Sequence, residues 1–458
     1  MSGDLADDFD DALALANEPA VAGSAAGPAA ARPTSAAGTA RDRTPEPPAE
    51  PGDGGDPWES EDTPQLRSPD WDAARAAAYR AGRPLPPRTL PLDETLGATL
   101  AAPLTALTDL PAFDTSAMDG WAVAGPGPWR LTGRPRVLAG VGRAVPLTDG
   151  QAVPIATGAR IPEGTTAVLR AERGSVLTNS PVAPGQLRGA TPGPGADIRP
   201  RGQECRSGTT LLDSGAPITP AVLGLAAAAG YDGLAVHPRP RAEVLVLGDE
   251  LLYQGLPHDG RIRDALGPMT GPWLTALGAR VLVTRRLGDD ADALHEAIST
   301  SRAELIVTTG STASGPVDHL RPVLRRLGAP VLVRGVAVRP GHPMVLARTP
   351  DGVPLVGLPG NPLAAVSALL TLAAPLLRAL SGRAEPDTRR AELTTAVRGH
   401  PSDTRLVPVD CPAGSDARPL SYAGPAMLRG IASAAALAVI PPGGAEAGVQ
   451  IRLLDLPR

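Results

Sequence analysis

The sequence predicts a multidomain α/β and β protein: a doubly wound α/β domain, a small β-rich domain, a mixed helical and extended linker region, and an all-β C-terminal domain. Three observations carry this expectation. Residues 240–382 alternate strand-like apolar runs with helix-like segments, the pattern of a parallel sheet covered on both faces. Three of those runs end in tight polar loops. Residues 110–199 and 388–458 are short apolar runs broken by Gly and Pro, the pattern of compact β domains.

The elements follow in order. Residues 1–68 are rich in Ala, Pro, Gly, Asp and Glu and bury too little apolar area to offset their ordering entropy, which predicts a disordered tail. Within it, residues 5–17 are a candidate acidic helix. Order is expected from Trp71, with a helix over 72–81, a turn and helix over 90–100, and an extended exit over 101–109. After the β-rich stretch, 201–212 reads as extended. Residues 220–230 read as a helix with Pro at its start and Gly at its stop. In the α/β region the strands are 242–247, 280–284, 305–309, 331–336 and 355–358; the helices are 268–277, 292–302, 316–327 and 364–380. The last region carries strands at 390–397, 405–410, 438–440 and 450–454.

Composition narrows the function classes. Among 458 residues the net charge is −5, and no basic block marks a nucleic-acid or acidic-membrane surface. All 43 basic residues are arginine, so an isolated Arg carries little functional signal. Cys205 and Cys411 do not make a disulfide scaffold. The N-terminus is acidic and lacks an apolar core segment, and no apolar stretch spans a bilayer free of charge or proline. The expectation is a cytoplasmic protein that engages neither nucleic acid nor membrane.

The chemistry-bearing segments sit at the ends of the apolar runs. Residues 244–247 lead into Gly248-Asp249-Glu250. Leu305–Thr309 leads into Gly310-Ser311-Thr312-Ala313-Ser314-Gly315, and Asp318 follows. Residues 353–358 lead into Pro359-Gly360-Asn361-Pro362. In a parallel sheet, ligands bind outside the carboxyl ends of the strands. One edge therefore collects glycine amides, hydroxyls and carboxylates, a set suited to an oxyanion and a hard cation. The glycine loop lacks both the P-loop and the dinucleotide patterns. Each Asp singly reads as a helix cap or solvated turn; Asp249, Glu250, Asp289 and Asp318 together make a metal-site hypothesis. Arg334, Arg339 and His342 surround a Pro-Gly turn and read either as a surface hairpin or as an anion contact.

Taken in chain order, seven segments resemble the molybdopterin molybdenumtransferase family, which includes the C-terminal domain of gephyrin. They are DTSAMDGWAV (114–123), ATGARIPEG (156–164), IRPRGQE (198–204), GDEL (248–251), TTGSTASGPVDH (308–319), VRPGHP (338–343) and GLPGNPLAAV (357–366). MLRGIASAAALAVIPPG (427–443) looks like the family's C-terminal barrel. The resemblance covers about residue 70 to the end, beyond the tail over 1–68 that composition predicts, and implies four domains, the first a linker domain from 69–109 and 200–239. It implies a small β domain over 110–199, a molybdopterin-binding α/β domain over 240–386 and a barrel-like β domain over 387–458.

It also implies a homodimer whose active site joins the α/β domain of one subunit to the small β domain of the other. The implied reaction inserts molybdate into the dithiolene of adenylated molybdopterin, with Mg²⁺ assisting release of AMP. By motif position, Asp119, Thr157, Glu250 and Asp318 look catalytic, and Glu250, Asp289 and Asp318 look like metal ligands. Gly310, Ser311, Ser314, Gly315, Arg334, Arg339, His342, Pro359 and Asn361 look like substrate contacts, with Glu204 and Asp249 in secondary positions. The chain departs from the family pattern at Ser311, where a glycine is usual, and at Arg334, Arg339 and His342, where lysines are usual. It departs again after the Ile-x-Asp segment, where the usual Asn is missing from Arg263-Asp264-Ala265-Leu266. The alternative these departures leave open is a divergent paralogue that binds molybdopterin or a partner without metal transfer.

Overall fold

Apolar runs in the second half of the chain supply six strands of one seven-stranded sheet. In the computed structural model, which describes residues 66–140, 145–177, 185–310, 312, 319–412 and 414–457, the chain falls into two units. One holds the described residues up to Gly82 together with 240–379 and 385–458; the other holds 83–239 and 380–384. Residues 1–65, including the candidate helix at 5–17, lie outside the described residues.

The sheet of the first unit is built from β1 (Leu66–Arg67), β2 (Arg241–Leu247), β3 (Arg280–Leu287), β4 (Leu305–Thr309), β5 (Val331–Arg334), β6 (Val345–Arg348) and β7 (Pro354–Leu358). Its order is β1-β5-β6-β7-β4-β2-β3. Strands β7, β4, β2 and β3 run parallel, as alternation with helices predicts. The helices are α1 (Trp71–Ala81), α2 (Leu266–Ala276), α3 (Ala291–Ser299), α4 (Leu320–Arg326) and α5 (Pro362–Leu380). Leu245, Leu294, Ile298, Ile306, Leu320 and Leu324 pack into a single core between sheet and helices.

Two features correct the sequence reading. The sheet is mixed, because β6 pairs antiparallel with both β5 and β7. The β6–β7 hairpin turns at Thr349-Pro350-Asp351-Gly352, a Pro-Asp-Gly turn signal that reading by alternation alone passed over. Residues 66 and 67, assigned to the tail by composition, form an edge strand against Val333 and Arg334.

Helix α5 is 19 residues long and apolar enough by length and composition to cross a membrane, but 94% of its apolar window is buried inside the protein. It contains a π-turn at Leu369–Ala373. There Thr371 Oγ1 accepts a 3.0 Å hydrogen bond from the buried Trp71 Nε1 of α1. The Trp71 ring is flanked by the guanidinium groups of Arg75 and Arg452, 5.1 and 4.8 Å from its centroid.

The C-terminal strands β8 (Arg390–Leu393), β9 (Thr404–Asp410), β10 (Asp416–Pro419), β11 (Ala436–Ile440) and β12 (Gln450–Asp455) close into a five-stranded barrel, since β9 pairs with both β10 and β11. Closure removes the exposed strand edges that an open sheet would leave. Its filling is Ala, Val, Leu and Ile, as the 2% aromatic content requires.

The second unit contains a six-stranded sheet over residues 120–189, with core residues such as Val153, Ile155 and Val168, and a three-stranded sheet beside the helix Pro220–Ala228. Residues 90–100, expected as a turn and helix, hold only a single 3₁₀ turn, Leu92–Glu94, between short strands. Pro91 and the left-handed Gly97 leave no room for a longer helix.

Candidate functional site

The carboxyl ends of β2, β4 and β7 meet at one rim. The Gly310 amide donates to the Leu358 carbonyl at 2.9 Å, tying the end of β4 to the end of β7. Gly310 takes φ +83°, and a Cβ there would stand 3.2 Å from the Leu247 carbonyl oxygen at the end of β2. Gly360 lies against the Gly310 backbone. The three loops are thus in contact, and glycine is what lets the backbones approach. Gly310→Ala forces a side chain into the left-handed region and crowds Leu247. The expected loss of stability is about 1–2 kcal/mol, measurable by urea unfolding.

Carboxylates ring this rim. The Asp249 amide donates to Asp289 Oδ2 at 3.3 Å, joining the loop after β2 to the loop after β3. Asp249, Glu250 and Asp289 are all carboxylates on these two loops, and the Glu250 carboxylate folds back over Gly248. From here the chain makes a small parallel ladder, Leu251–Leu252 with Ile262–Arg263. The side chain of Arg261 braces it by donating twice to the Asp249 carbonyl, at 3.2 and 2.9 Å. Asp264 then caps α2: its Oδ1 accepts from the Gly267 amide at 2.8 Å. Its other oxygen is buried and lies 3.4 Å from Arg286 Nε. Sequence reading missed Arg261, Asp264 and Arg286; the Asx-x-x-Gly cap was the available signal for Asp264.

The remaining expected substrate contacts divide by location. Pro359 and Asn361 stand at the rim, with Asn361 at the N-cap of α5 and making no capping hydrogen bond through its side chain. Arg334 ends β5, and the Ser68 amide bonds to its carbonyl at 3.0 Å. His342 Nδ1 lies 2.8 Å from the Val336 carbonyl. A carbonyl only accepts, so Nδ1 carries the proton. A Cβ on Gly341 would touch Ala364 and Ser367, so this turn is seated on the first turns of α5. Arg339 pairs with Asp403 of the barrel at 2.9 Å, a partner 64 residues away that no local pattern announces. Burial works to raise the Asp403 carboxyl, but hydrogen bonds from Ser402 and Arg339 and the charges of Arg339 and His400 hold it below the usual range.

Ser311, Ser314, Gly315 and Asp318 lie outside the described residues, as does the expected helix start near Pro316; α4 is described from Leu320. Among the described residues no three of His, Cys, Asp and Glu stand close enough together to hold a metal ion. The described donors at the rim are carboxylate oxygens, which are the hard ligands that Mg²⁺ prefers.

In the second unit, Asp119 and Thr157 are neighbours: the Thr157 amide donates to Asp119 Oδ1 at 3.2 Å, and both are exposed. Arg136, missed by the sequence reading, lies 3.7 Å from the same oxygen. Glu204 lines a separate cavity of about 690 Å³ with Leu110, Thr115, Arg199, Gln203 and Leu225. The loop carrying Glu204 is held by buried Asp109. Its carboxyl is kept below the usual range by the Ser207 amide first and by Arg201 second.

Comparison with known proteins bears on this arrangement. Residues 70–230 match the MoeA N-terminal region (domain I and II), and residues 243–379 match a probable molybdopterin binding domain. The chain is 34% identical over 406 residues to molybdopterin molybdenumtransferase 2 of Mycobacterium tuberculosis, covering 83% of this chain and 97% of that protein. The chain belongs to the molybdopterin molybdenumtransferase family. A second member, from Synechococcus elongatus, is 32% identical over 65% of this chain and 76% of its own length. The fold agrees as well. A crystal structure of the molybdopterin biosynthesis MoeA protein from Pyrococcus horikoshii superposes with a TM-score of 0.66 at 19% identity, covering 85% of this chain and 100% of that one. The family's α/β domain corresponds here to the unit whose strand ends form the acidic rim.

Proposed function

We propose that this chain is a transferase of molybdenum cofactor biosynthesis that inserts molybdate into the dithiolene of adenylated molybdopterin and releases AMP, acting as a homodimer. The observation that carries the reading is the meeting of the β2, β4 and β7 loops at one rim, with glycine backbone on one side and Asp249, Glu250 and Asp289 on the other. Amides exposed by glycine suit the phosphate of the pterin. Arg334 and Arg339 suit molybdate and phosphate oxygens, because arginine is permanently charged and forms bidentate contacts. Glu250, Asp289 and Asp318 would hold Mg²⁺. Bound there, the ion would offset phosphate charge and polarise the phosphoryl group. Glu250 would also orient the water that displaces AMP at the phosphoanhydride, and Asp119 and Thr157 would offer a second polar pair to the substrate.

The deciding assay is molybdate-dependent AMP release from adenylated molybdopterin by the purified chain. No release, together with tight pterin binding, would replace the transferase reading with that of a binding protein.

The two basic residues of the turn should differ in weight. Arg339→Ala should weaken molybdate binding by roughly tenfold, because it removes a permanent charge and leaves the Asp403 carboxylate without its arginine. His342→Ala should cost about threefold or less, since its Nδ1 is already spent on the Val336 carbonyl. A molybdate titration giving the reverse order would contradict the assignment.

A further inference from the structure

Three segments bear on the first turns of α5. The rim loop Pro359-Gly360-Asn361 runs directly into it. The Gly341 turn is seated on Ala364 and Ser367. From the barrel, the Pro425 carbonyl accepts from the Leu363 amide at 2.9 Å. The barrel loop 420–429, between β10 and β11, therefore stands beside the loop that carries Asn361.

That loop holds a backbone outlier. Four residues other than glycine take positive φ among the described residues: Ser68, Asp197, Asp259 and Tyr422. The first three are short and polar. Tyr422, at φ +65°, places a bulky aromatic residue where steric repulsion opposes it. Packing enforces the conformation. A Cβ on Gly430 would stand 2.5 Å from the Tyr422 carbonyl oxygen, and the Leu420 amide is tied to the Pro408 carbonyl of β9 at 2.9 Å. The ring contributes no core packing in return, since Tyr422 is 47% exposed. Its one described side-chain partner is Arg429, also exposed, whose guanidinium lies 4.4 Å from the ring centroid and donates to Tyr422 Oη at 2.7 Å. An exposed cation–π pair returns less than left-handed backbone costs. Strain kept without a structural return points to function.

We propose that Tyr422 is a specificity-determining residue of the rim, a fixed aromatic platform on which a flat heteroaromatic ring of the substrate stacks. Arg429 holds the ring in one orientation, so little side-chain freedom is lost on binding. The identity of the ring rests on the transferase reading above: the pterin and the adenine of the adenylated substrate share this chemistry.

Two variants of the full chain test it. Tyr422→Gly removes the ring and relieves the left-handed residue, so its melting temperature should not fall. Its KM for adenylated molybdopterin should rise about tenfold with kcat within about twofold. Tyr422→Phe keeps the platform and should stay within about threefold of the unmodified KM. Titrations with AMP alone and with molybdopterin alone separate the two rings: the one that stacks loses about tenfold in affinity in Tyr422→Gly. These titrations decide the platform even if the unmodified chain releases no AMP, which would sink only the transferase reading. Unchanged affinity for both ligands in Tyr422→Gly would overturn the proposal. A fall of several degrees in the melting temperature of that variant would overturn it too, by giving the ring a structural role.

Discussion

Glu250→Gln should reduce molybdate-dependent AMP release by about 10²–10³-fold, equivalent to about 2.7–4 kcal/mol of transition-state stabilisation. The substitution keeps shape and removes charge. Glu250 is exposed at the rim, so thermal unfolding should be almost unmoved. A charge that holds a divalent cation beside a phosphoanhydride has no substitute among neutral amides. Asp318→Asn should act in the same way and to a similar degree. Turnover of Glu250→Gln at the unmodified rate, measured with saturating Mg²⁺ and molybdate, would remove that carboxylate from the mechanism.

The second large effect concerns assembly. If the rim of one protomer is served by Asp119 and Thr157 of its partner, two inactive variants should rescue one another. Glu250→Gln and Asp119→Asn proteins, each with turnover lowered by about 10²-fold or more, are dissociated, mixed in equal amounts and reassembled. In a symmetric dimer, random pairing makes half the molecules mixed, and each mixed dimer carries one undamaged site. Activity should recover to about a quarter of the unmodified level. Recovery that stays at the level of the separate variants would show that both residues act within one subunit or that Asp119 has no part in the reaction.

Much of the rim was legible in the sequence. Residues 242–247, 305–309 and 355–358 are apolar and β-branched because strands of a covered parallel sheet are buried on both faces, and the rule that ligands gather at carboxyl ends then brings Glu250, Gly310 and Asn361 together. The mixed pairing of β6 was not legible from alternation. A hairpin strand of four residues has no helix to announce it, and only its Pro-Asp-Gly turn does. Edge strand β1 was hidden for a related reason: two residues leave no periodicity, and the pairing comes from Val333 and Arg334 far along the chain. The long-range partners were out of reach too. Nothing near Arg339 points to Asp403, and nothing near Asp119 points to Arg136. Motif order supplied the grouping of Asp119 with Thr157, and the hydrogen bond between them is the local geometry behind it.

Helix α1 has a consequence for how the protein is made. Its contacts lie with residues that a ribosome delivers last: Trp71 waits for Thr371, Arg75 for Glu385, and Asp72 for Arg452, 380 positions downstream. Translation proceeds from the other end. Helix α1 therefore finds its final seat only when the closing strand of the barrel has emerged. Until then Trp71, buried in the finished protein, has no core to enter.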